Sequence, residues 1–254
     1  MIVRKWLARC RELWPEVCFA GSIYILLIML FSLLRGLLLW RNLGVAADVP
    51  AVLLAQSFRV GLRFDLAVAA YLALPLLLLL LWRRGRRWRV LLPCFYVLVG
   101  LTLLLGLAEI EFYHAVGSRF NTLVLNAMGH PWRLVRLHWQ AYPMWSYLSL
   151  WGGLMLIVIL VGRWVERSLL GFRARPGGIR DDMLHLMGSV VVLALLVILS
   201  RGGVGHQPLR QGDAVFCKST FANQLALNGL FALGRCAWEE QKQAVLIPTH
   251  HAAY

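Results

Sequence analysis

The sequence predicts an all-α membrane protein: five transmembrane helices, short interfacial helices in the outer loops, N-terminus in and C-terminus out. Three observations carry this. The 254 residues are 60% hydrophobic and only 15% charged, with a mean hydropathy of +0.68, whereas a soluble domain is about half apolar and about a quarter charged. Five apolar runs, roughly 17–40, 64–82, 90–110, 145–162 and 183–200, approach the ~20 residues a bilayer crossing needs. None alternates like a strand, and in lipid the backbone must pair within its own segment, so each run is expected to be a helix.

The third observation is where the basic residues fall. Of the 26 Lys and Arg, 14 lie in residues 1–16, 83–89 and 163–182, while the alternate loops 41–63 and 111–144 hold six. That is the positive-inside pattern, and it sets the orientation. The net charge of +14 is thereby a topology signal and does not point to a nucleic-acid partner.

The first run follows a basic N-region but extends to about Trp40 with no small-x-small site closing it, so it reads as an uncleaved signal anchor. Runs two and three form a hairpin around "RRGRRWR", which places "RFD" (63–65) and "LAEIEFYH" (107–114) at the same outer surface. Loop 41–63 is expected to hold a short interfacial helix starting near Asp48 and Pro50. A second such stretch is "HPWRLVRLHWQAYP" (130–143), in which Trp132, Val135 and Trp139 form one stripe. "RARPGGIRDD" (173–182) reads as a cytoplasmic linker. No internal repeat is visible and, apart from Arg35 near the outer end of the first span, the charges cluster at span ends, which argues against a transporter.

Domain organisation follows: a five-helix membrane domain over 1–200 and an extracytoplasmic juxtamembrane segment over 201–254. Glycines 202, 203 and 205 break the fifth helix. "FANQLALNGLFALG" then places Leu225, Leu227, Leu230, Phe231 and Leu233 on a short amphipathic segment. Of the five cysteines, Cys217 and Cys236 share the outer side, where a disulfide is permitted.

Arg63 and Asp65 begin the second run and admit two readings. In one, Asp65 occupies the first helical turn, stabilised by free N–H groups and the helix dipole, while Arg63 reaches up to the headgroups. In the other, both meet Glu109, Glu111 and Arg119 in a mixed-charge cluster that braces the helices or holds a lipid phosphate. Glu111-x-x-His114 has the i, i+3 spacing of carboxylate-bridged metal sites but stands alone. The sequence holds no phosphate loop, no G-x-S-x-G elbow and no H-E-x-x-H, and no catalytic set is apparent.

Four segments in order, "GLRFDL" (61–66), "EIEFYHAVGSRFN" (109–121), "SRGG" (200–203) and "LALNGLFALG" (225–234), resemble the membrane domain of the lipoteichoic-acid-synthase-like phosphoglycerol transferases in their Gram-negative form, members of the alkaline phosphatase/sulfatase superfamily. The resemblance spans about residues 17–240. It implies a multi-pass protein of the bacterial cytoplasmic (inner) membrane, anchoring an extracytoplasmic α/β domain. In that domain a metal-activated threonine, with a divalent ion such as manganese, would move phosphoglycerol from phosphatidylglycerol to an acceptor. The catalytic domain is expected beyond the juxtamembrane helix and is absent here, so no nucleophile or metal ligand carries over and no cofactor is assigned to this chain. What carries over is Arg63, Asp65, Glu109, Glu111, Arg119 and Asn121, as a lipid-headgroup or domain-docking cluster. The implied partners are membrane lipids, phosphatidylglycerol among them, and the catalytic domain or a partner protein. Alternatives are a free-standing lipid-binding or scaffolding membrane protein and the anchor of a phosphoethanolamine transferase.

Overall fold

The computed structural model describes residues 15–81, 88–129, 132, 139, 143–169, 179–202 and 207–246. Helices dominate, and no strand occurs among the described residues. In chain order they are α1 (Pro15–Arg41), α2 (Leu43–Ala46), α3 (Ala51–Leu81), α4 (Trp88–Val116), α5 (Thr122–Met128), α6 (Met144–Leu169), α7 (Ile179–Ser200), a 3-10 turn (Gln211–Ala214), α8 (Thr220–Ala226) and α9 (Gly229–Leu246).

Three of these contain stretches long and apolar enough to cross a membrane: Val17–Arg41 in α1, Leu92–Val116 in α4 and Met144–Ser168 in α6. Met187–Ser200 in α7 is a shorter apolar stretch. Ile25, Met29 and Leu33 repeat every four residues along α1 and are exposed, as are Leu156, Ile157, Leu160 and Trp164 on α6. Such faces are a liability in water and cost nothing against lipid tails, which are as apolar as leucine. They mark a membrane protein.

The chain divides into two compact units. The first comprises Met1–Leu33, Asp65–Leu103 and Leu150–Leu209. Its core sets Phe19, Ile23 and Leu27 of α1 with a run of small residues on α3, Ala67, Ala69, Ala70 and Ala73, all fully buried. Small side chains let helix backbones approach closely where lipid supplies no hydrophobic drive. Polar side chains then bond backbone oxygens: Tyr24 Oη donates to the Leu66 carbonyl at 3.1 Å and Trp151 Nε1 to the Gly100 carbonyl at 2.9 Å.

The second unit comprises Leu34–Phe64, Leu104–Ser149 and Arg210–Tyr254. Its apolar core combines fully buried aliphatic residues such as Leu38 and Leu225 with aromatic pairs. Phe64 of α3 meets Phe231 of α9 edge-on at 5.1 Å between ring centroids, Tyr113 of α4 meets Phe221 of α8 at 6.0 Å, and Phe112 meets Phe120 at 5.5 Å. α9 also packs against α5.

Two expectations change. The interfacial helix of loop 41–63 and the second apolar run are one helix, α3, opening directly after Pro50. Nothing between residues 51 and 63 breaks a helix except Gly61, whose ~1 kcal/mol penalty is insufficient to interrupt 31 residues. Asp65 therefore sits about four turns into α3 and not in a first turn, so the helix-dipole reading fails. The cytoplasmic turn 82–87, most of 130–143, the linker 170–178, Gly203 and Gly205, and the tail from 247 lie outside the described residues.

Candidate functional site

Among the described residues, the second unit buries four charged side chains, Arg35, Glu109, Glu111 and Arg119, each at most 6% exposed. Their positions follow from how α4 ends and how α8 and α9 meet.

α4 stops at Val116, and Gly117 follows with φ +72°, its N–H donating to the Tyr113 carbonyl at 2.8 Å. Positive φ at the residue after a helix is the glycine position of a C-cap. The chain reverses there and returns Arg119 toward Glu109, two residues short of where Asn121 starts α5. Arg119 Nη1 lies 3.0 Å from Glu109 Oε2. Asn121 is local: its Oδ1 accepts from Leu123 N at 2.9 Å and its Nδ2 donates to Ser118 Oγ at 3.0 Å. It serves as the cap of α5, the role asparagine commonly takes.

The motif "LALNG" is a helix break. α8 ends at Ala226, and Asn228 begins α9, its Oδ1 accepting from Leu230 N at 3.0 Å and Phe231 N at 3.2 Å. The last carbonyls of α8 have no partner within their own helix, and side chains from other helices take them. Arg35 of α1 donates to the carbonyls of Ala226 (2.7 Å) and Leu225, and to that of Gly61 (3.1 Å). Arg119 donates through Nε to the Gln224 carbonyl (2.8 Å) and through Nη2 to that of Leu225 (3.3 Å). The Ser57 hydroxyl reaches the Ala222 carbonyl at 2.8 Å. Two guanidinium groups at a helix C-terminus also complement its negative dipole end. At the other side of the break, the Glu109 carboxylate fills the space beside Gly229 where any Cβ would stand. A carboxylate there meets the positive end of α9, and only glycine lets it come so close.

A second, shallower cluster joins the ends of the three apolar spans. Arg41 closes α1, Glu111 lies near the end of α4, and Tyr147 lies near the start of α6. Arg41 Nε and Nη2 bind the two Glu111 oxygens at 2.8 and 3.3 Å, a bidentate pair, and the Tyr147 hydroxyl donates to Glu111 Oε1. One turn along α4, His114 Nδ1 meets Asn42 Oδ1 at 3.0 Å.

Of the six residues singled out from sequence, Glu109 and Arg119 pair with each other. Glu111 pairs instead with Arg41. Arg63 is exposed on α3 and does not join them, while Asp65, two residues on, is buried in the first unit. Residues two apart on a helix face different ways, so the mixed cluster does not include Arg63. Arg35 and Arg41 carry much of the arrangement and were not among the six. The available signal was an arginine inside an apolar run, Arg35, which is costly unless it has buried partners.

Among the described residues no three His, Cys, Asp or Glu side chains gather as metal ligands. Glu111 binds Arg41, and His114 Nδ1 binds Asn42. Cys217 and Cys236 are free thiols; no disulfide joins them. Comparison with protein-family models, with curated proteins and with solved structures gives no match.

Proposed function

We propose that this chain is the membrane-anchoring part of an enzyme of the lipoteichoic-acid-synthase-like phosphoglycerol transferase type. The observation that carries the reading is convergence. Gly61 and Phe64 of "GLRFDL", the whole of "EIEFYHAVGSRFN" and the whole of "LALNGLFALG" belong to one compact unit. Arg35 on the Gly61 carbonyl, Phe64 on Phe231 and Arg119 on the Leu225 carbonyl join those segments. A buried salt bridge and side-chain donors to four carbonyls of α8 are an expensive way to hold a helix break unless the direction of α9 matters. Residues 237–242 of α9 are all exposed, Trp238 among them, which suits a helix leading on to a further domain or partner. On this reading the chain anchors and orients, and the transfer chemistry belongs to the attached domain.

The test is to read the coding DNA onward from codon 254. The expected continuation, in this frame or a shifted one, encodes an α/β domain with a threonine nucleophile and metal-binding carboxylates. A stop followed by unrelated sequence overturns the transferase reading.

In the same proposal α3 and α7 join the three apolar helices as five crossings of a bacterial cytoplasmic membrane, with the N-terminus cytoplasmic and α9 outside. Alkaline phosphatase, which is active only outside the cytoplasm, should be inactive when fused after Arg86 and active when fused after Leu246. Equal activity at both points contradicts an odd number of crossings between them.

A further inference from the structure

We infer that the shallow cluster at the ends of the three apolar spans is a phospholipid headgroup site. In it Arg41 holds the phosphodiester, and the free ring nitrogen of His114 accepts a hydrogen bond from a hydroxyl of the headgroup. The inference rests on the membrane reading above only in placing these span ends at the bilayer surface; it does not depend on any attached domain.

The level of the site comes from the helices. Arg41 is the last residue of one apolar stretch, His114 lies two residues before the end of another, and Tyr147 lies three residues into the third. Span ends are where phosphates lie and where tryptophan collects. Trp40, next to Arg41, is 69% exposed, and Trp145, two residues before Tyr147, is 75% exposed with its ring edge-on to Trp139 at 5.5 Å.

The polarity of the site comes from two adjacent rungs. In the first, Glu111 takes Nε and Nη2 of Arg41, which leaves Nη1 outside the pair, and the Arg41 side chain is 35% exposed while that of Glu111 is 5% exposed. The carboxylate aims the guanidinium and stays out of reach itself. The Tyr147 hydroxyl also bonds the guanidinium, and the Nη1 group outside the carboxylate pair is suited to a phosphate oxygen. In the second rung Asn42 Nδ2 donates to the Leu38 carbonyl at 2.9 Å, which fixes the amide so that its oxygen faces His114. His114 Nδ1 must then carry the hydrogen. In the neutral ring Nε2 is an acceptor, and His114 is exposed. Residues 41 and 42 are neighbours, and residues 111 and 114 are one turn apart on α4. A donor for phosphate and an acceptor for a headgroup hydroxyl thus stand side by side at the lipid surface.

The experiment uses the full chain, purified in mild detergent and titrated with single lipids by native mass spectrometry. Phosphatidylglycerol and phosphatidylmethanol carry the same charge, but only the first has headgroup hydroxyls. Arg41→Gln is expected to weaken both by about fivefold, the effect of one arginine at an anionic surface. His114→Ala is expected to weaken phosphatidylglycerol alone, by about threefold, the effect of one hydrogen bond. Arg63→Gln, which removes an exposed arginine elsewhere on the same unit, should change neither.

Should Arg41→Gln fail to fold, Arg41→Lys keeps the charge but loses the planar fork that Glu111 aims, so both lipids should bind more weakly than they do to wild type, and unchanged binding would overturn the site. Equal loss in Arg63→Gln would mean diffuse surface charge and would overturn the site, as would unchanged binding in both Arg41→Gln and His114→Ala. Full competition by soluble glycerol 3-phosphate would overturn the lipid as the ligand. Carbonate extraction of cell membranes separates these outcomes from failure of the membrane reading itself: a chain released by carbonate contradicts the anchor, whatever lipid it binds.

Discussion

Replacing Arg119 with methionine is expected to lower the unfolding free energy by about 3–5 kcal/mol, the cost of leaving one buried charge without its partner. Arg119 is 6% exposed and Glu109 5%, so water cannot substitute for either. Glu109→Gln should be milder, because Arg119 keeps the Gln224 and Leu225 carbonyls as acceptors, whereas Arg119→Met strips a buried carboxylate of its ion-pair partner, although the amide still crowds Gly229. The informative measurement is the double-mutant cycle, read by denaturant titration in micelles. The pair should couple by about 0.5–3 kcal/mol, the range for residues in one salt-bridge network. The double variant should still be less stable than wild type, because Arg119 also holds the Gln224 and Leu225 carbonyls. A double variant as stable as wild type would mean that the ion pair contributes nothing beyond filling space.

Arg35→Met is the second large effect expected. The side chain is 3% exposed, and its guanidinium satisfies three carbonyls, those of Gly61, Leu225 and Ala226. The Leu225 carbonyl keeps Arg119 as a donor and that of Gly61 lies inside α3, so the loss falls mainly on Ala226, and one buried acceptor left without a donor costs about 1–3 kcal/mol. The loss should be local in its consequences. Proteolysis within residues 215–229 should accelerate, since α8 loses the group that fixes its end, while cleavage near α6 and α7 should not change. Uniform acceleration throughout the chain would contradict a clamp specific to the helix break. Arg35→Lys should not rescue, because one ammonium cannot span three carbonyls as a planar guanidinium does.

Much of this was legible from residue order alone, for physical reasons that need no neighbours. A run such as 17–40 is helical in lipid because its backbone has nowhere else to bond. By contrast, residue order did not mark Gly117 and Asn228 as helix boundaries, and 221–234 reads as one amphipathic segment where the structure has two helices; the local reasons are a positive φ that only glycine adopts cheaply and an asparagine side chain that reaches the next N–H groups. Separation of Arg63 from Asp65 follows from the 100° step of a helix.

What residue order does not contain is which distant group answers a buried charge. Glu109 and Glu111 are two apart on α4 and face different partners, Arg119 and Arg41, the second of which is 70 positions away in the chain. Arg35 sits in a leucine-rich run with no acidic residue near it, and its partners are backbone oxygens 190 residues on. No side-chain pattern announces a backbone acceptor. Asp65 misled for a different reason: a carboxylate near the start of an apolar run looks like a helix start, but no breaker strong enough to stop the helix lies between 51 and 63, and it opens at Ala51. Composition and periodicity determined that the chain is helical and built for a membrane. Only the tertiary structure decided which charges pair and which carbonyls they hold, because pairing energy depends on distance in space, and spacing along the chain constrains that distance only within a turn or two of helix.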